Sequence, residues 1–174
     1  SCVCAAVASR DSEELYFLHA DYGQRTEEKE RECFRALAGH FDAAGRLEVS
    51  LAHLGAIGGS SLTDRRIELA DAGLDSGEIP TSYVPFRNAH FLAVAVSWAE
   101  VIDAGAVYVG AVEADSSGYP DCRREFYDAF QRVADLGTKP ETRIELRTPL
   151  IELKKSEIVR LGDELGAPFE LTWS

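Results

Sequence analysis

The sequence predicts an α/β domain in which a mostly parallel sheet carries helices on both faces. Three observations point there. Short apolar runs of strand length alternate along the chain with longer runs of helical period. Each strand-like run leads into a helix-like one, the order that joins parallel strands. The 174 residues are 45% hydrophobic, enough for one full core and too apolar for a disordered chain. No self-similar repeat of roughly 20–50 residues interrupts the pattern.

The elements follow in order. "SCVCAAVA" is a helix-like opening run. Leu15 to Ala20, "LYFLHA", is an aromatic-rich strand, and "DYGQR" turns the chain at Gly23. A helix is predicted from about Thr26. Glu27, Glu28 and Glu30 crowd its first turns, where the helix dipole favours anions. Cys33, Phe34 and Leu37 share a face, and Gly39 is the expected stop. Leu47 to Leu51 is a second strand. A long irregular stretch runs from Gly55 to Pro85, and loops of that length are usually functional or mobile. "RNAHFLAVAVSWAEVIDAG" is apolar almost all round, which predicts a helix buried on several sides and ended by Gly105. Ala106 to Val109 is the third strand. The loop "EADSSGYPDCR" follows, then the helix "CRREFYDAFQRVADLG" with Phe126, Phe130 and Val133 on its apolar face. "RIELRTPL" is the fourth strand. "KSEIVRLGDELG" is an amphipathic last helix with Ile158, Leu161 and Leu165 inward, terminated by Gly166 and Pro168.

Composition narrows the function. The formal net charge of −12 and a pI near 4.7 oppose binding along a phosphate backbone, so no nucleic-acid partner is expected. An anionic small substrate is compatible if a few cations converge on it. Arg outnumbers Lys, with four Lys among 18 cations, as in GC-rich genomes or salt-adapted organisms. The apolar stretch from Phe91 to Val96 is too short to span a bilayer, and no signal peptide is visible. Cys2, Cys4, Cys33 and Cys122 show neither disulfide-framework spacing nor paired zinc knuckles. The expected setting is cytoplasmic, with reduced thiols. The start on "SCVCAAVA" without Met and the stop at "ELTWS" read as material missing at both ends.

In parallel sheets of this kind, ligands bind beyond the carboxyl ends of the strands. "DYGQR" and "EADSSGYPDCR" each follow a strand, so both are expected at that edge. Asp21 and Arg25 flank the turn of the first, and an Asx-bonded connector and a binding role both stay open. Arg87 and Asn88 start the buried helix. Asn88 reads as an N-cap with Arg87 as an ion-pair partner, or Arg87 grips an anion bidentately at the helix start. Lys154 and Lys155 open the last helix, where cations oppose the dipole unless a polyphosphate binds. "GAIGGSS" lacks the Lys of a Walker loop and reads as a flexible connector. Cys122 has no His near it in sequence and reads as a packing residue rather than a nucleophile, and His19 as a core residue.

The segments "HADYGQR", "SSLTD", "TSYVPFRN", "SSGYPDCRREF", "RTPLI" and "ELTWS" occur together in this order. Over nearly the whole chain they resemble the 7-cyano-7-deazaguanine synthases, queuosine-pathway enzymes of the N-type ATP pyrophosphatase superfamily. The resemblance implies a three-layer Rossmann-like fold of the adenine nucleotide alpha hydrolase type, as a single ATP-pyrophosphatase domain over residues 1–174. Members open with a strand and a loop of the form S-G-G-x-D-S, whose last Ser would be Ser1, and carry zinc-binding cysteines near their C-terminus. Both the loop's front and the zinc ligands are expected outside this chain. Phe86 stands where members often have a small residue, which would reshape the pocket beside Arg87.

The implied reaction takes 7-carboxy-7-deazaguanine, ammonia and ATP to the nitrile, with Mg²⁺ accompanying ATP and Zn²⁺ held elsewhere. A homodimer is implied by the same resemblance. The implied catalytic residues are Arg87, Lys155 and Asp121. Ser1, Asp21, Arg25 and Lys155 would bind the nucleotide, with Arg87 and Lys155 meeting phosphate charge. Tyr119 would stack on the deazaguanine, Asp121 would accept from its N–H groups, and Arg123 would balance a carboxylate or phosphate. The competing readings are another ATP pyrophosphatase, tRNA-modifying or amide-forming, and a non-catalytic nucleotide-binding module.

Overall fold

The computed structural model describes residues 2–64, 66–68, 79–113 and 118–173. Ser1, Ser116, Ser117 and Ser174 lie outside them, as does part of the predicted irregular stretch. The described chain runs α1 (Cys2–Asp11), β1 (Tyr16–Asp21), α2 (Glu27–His40), β2 (Gly45–Ser50), α3 (Ala52–Ile57), α4 (Arg87–Val101), β3 (Ala106–Tyr108), α5 (Arg124–Gly137), β4 (Glu145–Arg147) and α6 (Lys155–Leu165). Single 3₁₀ turns cover Pro120–Cys122 and Phe169–Leu171.

All four predicted strands form, and they pair in parallel. Tyr16 to Asp21 lie opposite Gly45 to Ser50, and Ala106 to Tyr108 opposite Glu145 to Arg147. Among the described residues the pairs are two separate sheets, β1–β2 and β3–β4, rather than one continuous sheet. Helices hold them as one layer. The α1 core of Cys2, Val3, Cys4 and Ala6 touches Phe17 of β1 and Tyr108 of β3. On the opposite face α4 reaches both pairs, with Phe91 and Val94 near Ala20 and Tyr22, and Val96 and Ala99 near Val107.

The strand period of two explains this division. Phe17 stacks on Phe41 at 6.1 Å and His19 on Phe34 at 5.1 Å, both toward α2 and its C-terminal end. Tyr16 points the other way and meets Trp98 of α4 edge-on at 5.8 Å. Helices α1, α2 and α6 therefore cover one face and α4 and α5 the other, the predicted mixed α/β architecture of parallel strands and helices.

Three local expectations are corrected. Helix α5 does not bury Val133, which is 60% exposed; Tyr127 and Ala134 face inward at 3% and 5%, because the small Ala134 lets α5 close on Val96 and Ala99. Helix α4 ends at Val101, before Gly105, as Asp103 takes a left-handed φ of 56° and the Ala104 N–H reaches back to the Ala99 carbonyl at 2.9 Å. The "GGSS" segment is no open connector: Ser60 and Ser61 are completely buried, and the Ser61 N–H donates to the Thr81 carbonyl at 2.8 Å. Helix α6 matches its prediction, with Ile158, Leu161 and Leu165 against the α1 core and Gly166 left-handed at its end.

Candidate active site at the amino end of α4

The first two residues of α4 face two different crossovers. Arg87 turns toward the segment after β1, and Asn88 toward the loop after β3. Segments that follow β1 and β3 thus meet at one helix N-terminus, beyond the carboxyl ends of strands, where α/β proteins place ligands.

On the β1 side, "DYGQR" makes a tight turn through Gly23, whose φ of +82° suits glycine. Gln24 is 4% exposed; its Oε1 accepts the Tyr22 N–H at 2.9 Å, and its Nε2 donates to Glu30 at 3.0 Å. Tyr22 is 6% exposed and presents its hydroxyl to Arg87 Nη1 at 3.0 Å. The guanidinium carbon lies 5.3 Å from the Tyr22 ring centre and 5.6 Å from that of Phe91. Burial raises the Tyr22 pKa, and the Arg87 charge pulls against that rise.

Arg87 has no carboxylate partner among the described residues, and its buried Nε–H finds no acceptor there. An orphaned donor of this kind costs about 1–3 kcal/mol. In a chain of net charge −12, an arginine with no acid paired to it among the described residues is chemically suited to an external anion.

On the β3 side, Asp121 is 3% exposed at the 3₁₀ turn. Its Oδ2 accepts the Asn88 N–H at 2.9 Å, so a carboxylate from a distant loop satisfies an orphan donor of α4. Asn88 Nδ2 donates to the Asp121 carbonyl at 2.8 Å and to Cys122 Sγ at 3.3 Å. Asn88 is therefore not the predicted N-cap. The cap position belongs to Phe86, in a left-handed conformation at φ 58°. The Phe86 ring meets Phe126 edge-on at 6.3 Å. Tyr119 hydrogen-bonds Ser82 Oγ at 2.6 Å and lies 5.7 Å from Tyr83.

The remaining predicted residues stand on other segments. Asp21 is engaged by His19 Nε2 at 2.9 Å and by Arg31 of α2. Arg25 is exposed and reaches the Ile67 carbonyl at 3.4 Å. Arg123 is exposed at the start of α5. Lys155 is the exposed first residue of α6. The segment before it is tied to the loop after β3, since the Glu113 N–H donates to the Ile151 carbonyl at 2.8 Å. Arg87 and Asp121 thus sit on one helix end, while Asp21 is turned into an ion-pair network.

Cys122 is not set up for nucleophilic chemistry. Burial and then the Asp121 charge raise its thiol pKa. The zinc implied by resemblance has no ligand set among the described residues, where no group of three His, Cys, Asp or Glu could hold a metal. Cys2 and Cys4 are buried in α1, and neither Cys33 nor Cys122 joins them, so the described residues do not fit a zinc ion. No helix among the described residues is long and apolar enough to cross a membrane. A groove of about 530 Å³ between α5 and β4, lined by Arg124, Gln131, Arg143 and Thr148, lies apart from Arg87.

Sequence reasoning passed over Tyr22, Gln24 and Ser82. The first two lie inside "DYGQR", where the charged ends carry the more obvious chemistry.

The family model described as queuosine biosynthesis protein QueC matches residues 1–174. The 7-cyano-7-deazaguanine synthase of Chlorobaculum tepidum is 59% identical over 174 residues, covering all of this chain and 77% of the relative. That of Chlorobium luteolum is also 59% identical, with the same coverage. That of Chlorobaculum parvum is 58% identical, again over 77% of its length. With a match along its full length and identities of this order, the chain belongs to the QueC family of queuosine biosynthesis proteins.

Proposed function

We propose that this chain converts 7-carboxy-7-deazaguanine and ammonia to 7-cyano-7-deazaguanine, consuming ATP through adenylated intermediates. The observation that carries the reading is Arg87, a guanidinium without a carboxylate partner and with an orphaned Nε–H, beside a loop fixed by the buried Asp121. Full-length similarity to synthases of that name supplies the reaction class.

The chemistry asks little covalent work of the protein. A carboxylate resists attack by ammonia until its oxygen becomes a leaving group. Transfer of the adenylyl group from ATP gives a mixed anhydride and releases pyrophosphate. Ammonia displaces AMP to give the amide. A second adenylation, on the amide oxygen, lets AMP leave as the nitrile forms. Each step needs alignment and stabilisation of charge on phosphorus-bound oxygens. Arg87 takes that charge at the α4 terminus, and Lys155 adds a second cation from α6. Mg²⁺, where bound with ATP, would offset charge on the phosphates.

Asp121 Oδ2 is fixed on α4, and Oδ1 has no partner among the described residues, leaving it to accept from the ring N–H and amino groups of the deazaguanine. Tyr119 offers a stacking face, and Arg123 reaches the substrate carboxylate or a phosphate from the exposed start of α5. Arg25 lines the nucleotide side. Asp21 orders that side through Arg31 and His19. A homodimer in the cytoplasm is the working form that the family likeness suggests.

Pyrophosphate release by the full-length protein tests the reading. Release dependent on 7-carboxy-7-deazaguanine, and not on guanine or unrelated carboxylates, is expected. Equal release with tRNA or another carboxylate would overturn it.

A further inference from the structure

We infer that Tyr22 is the positioning residue that aims Arg87, holding one of its nitrogens so that the opposite Nε–Nη2 edge is presented to an oxyanion. This rests on the reading of Arg87 as the anion-binding residue.

A guanidinium binds phosphate most tightly edge-on, through two parallel N–H groups. Its Nε–H and Nη2 form one such edge, and Nη1 lies on the far side. In this structure Nη1 is engaged by the Tyr22 hydroxyl at 3.0 Å. The Nε–Nη2 edge has no protein partner among the described residues, and Nε is buried. The rings of Tyr22 and Phe91, 5.3 and 5.6 Å from the guanidinium carbon, restrict its tilt.

Tyr22 is itself held. It packs with Leu51, Leu54 and Val84, and Gln24 ties its backbone to Glu30 of α2. A chain of support runs from α2 through Gln24 and Tyr22 to Arg87. Without the hydroxyl, a side chain with several rotatable bonds would have only two aromatic faces to orient it.

A double-mutant cycle on the full-length enzyme tests this. Tyr22→Phe keeps the ring and its apolar contacts. It should leave the fold intact by circular dichroism and lower kcat/KM for ATP roughly tenfold, the size expected for losing a hydrogen bond to a charged group. In an Arg87→Met background, already impaired, the same change should alter kcat/KM less than about twofold, since nothing remains to aim. Arg87→Gln serves as the background if the methionine variant loses its fold. A silent Tyr22→Phe in the wild-type background would overturn the inference, as would an undiminished loss in the Arg87 background, the signature of a merely structural tyrosine. Full activity in Arg87→Met would instead remove the underlying reading of Arg87. Measuring KM for both substrates assigns the oxyanion. A loss in the ATP arm is expected, and a loss confined to the carboxylate substrate would overturn the phosphate assignment while supporting the positioning role.

Discussion

Replacing Asp121 with Asn separates two roles of one carboxylate. Oδ2 accepts the Asn88 N–H at 2.9 Å, in a side chain 3% exposed. An amide can still accept that bond through its carbonyl, so only the charge assistance is lost, about 1 kcal/mol. For a chain of this size the melting temperature should fall by roughly 2–4 °C. At the other oxygen the change is harsher. An acceptor facing the N–H groups of the deazaguanine becomes an NH₂, and two donors then oppose each other. Losing a hydrogen bond to a charged group costs about 1.5–3 kcal/mol, roughly 10- to 150-fold in kcat/KM. Asp121→Ala should lose the cap as well, a further ~1 kcal/mol of stability. Thermal unfolding and pyrophosphate release at varied 7-carboxy-7-deazaguanine measure the two effects. Wild-type kcat/KM in Asp121→Asn would refute substrate reading by this residue and leave it as a helix cap alone.

Other outcomes follow from the same structure. Lys155→Ala should raise KM for ATP by roughly 10- to 100-fold through a lost charge-assisted contact, with stability within about 0.5 kcal/mol, since the residue is exposed; unchanged ATP kinetics would remove it from the site. Cys122→Ser should keep most activity, because burial holds the thiol neutral; abolished turnover in a folded variant would make it a nucleophile. Gly162→Ala should destabilise by about 1–3 kcal/mol in urea titrations, as its new Cβ would stand 2.8 Å from Val3 Cγ2 and run into the Phe169 ring, and a neutral result would show that the α1–α6 contact yields freely. Burial lifts the Cys4 thiol to about 11. Unfolded thiols ionise near about pH 8.5, so above that pH the unfolded state sheds a proton that the native state keeps. Stability should therefore hold below about pH 8.5 and fall as pH climbs toward 11, with a shallower fall in Cys4→Ala; identical slopes would contradict the burial argument.

The order of elements was legible because hydrophobic period separates strand from helix without tertiary information. Finer features depended on contacts that a sequence does not display. Val133 fits the helical spacing of Phe126 and Phe130 as well as Tyr127 does, and only the close approach of α5 to α4 at Ala134 decides which face is inside. Buried Ser60 and Ser61 looked like linker residues because their partners lie about twenty residues away, at Thr81 and Ser82. At the site, Arg87 and Asp121 were legible as isolated chemistry. Their meeting at one helix end was not, since it runs through the backbone N–H of Asn88, which carries no side-chain signal. Tyr22 was hidden for a related reason: an aromatic beside a strand reads as core, and its hydroxyl gains meaning only from the arginine against it.

The most direct test of the account is product formation by the full-length protein and its Arg87→Met variant, given ATP, ammonia and 7-carboxy-7-deazaguanine. The account predicts that the wild-type protein releases AMP and pyrophosphate as the nitrile appears, and that the variant retains its fold and loses at least roughly tenfold in kcat/KM. Nitrile formation at the wild-type rate by Arg87→Met, or ATP cleavage by the wild-type protein indifferent to the carboxylate substrate, would contradict it.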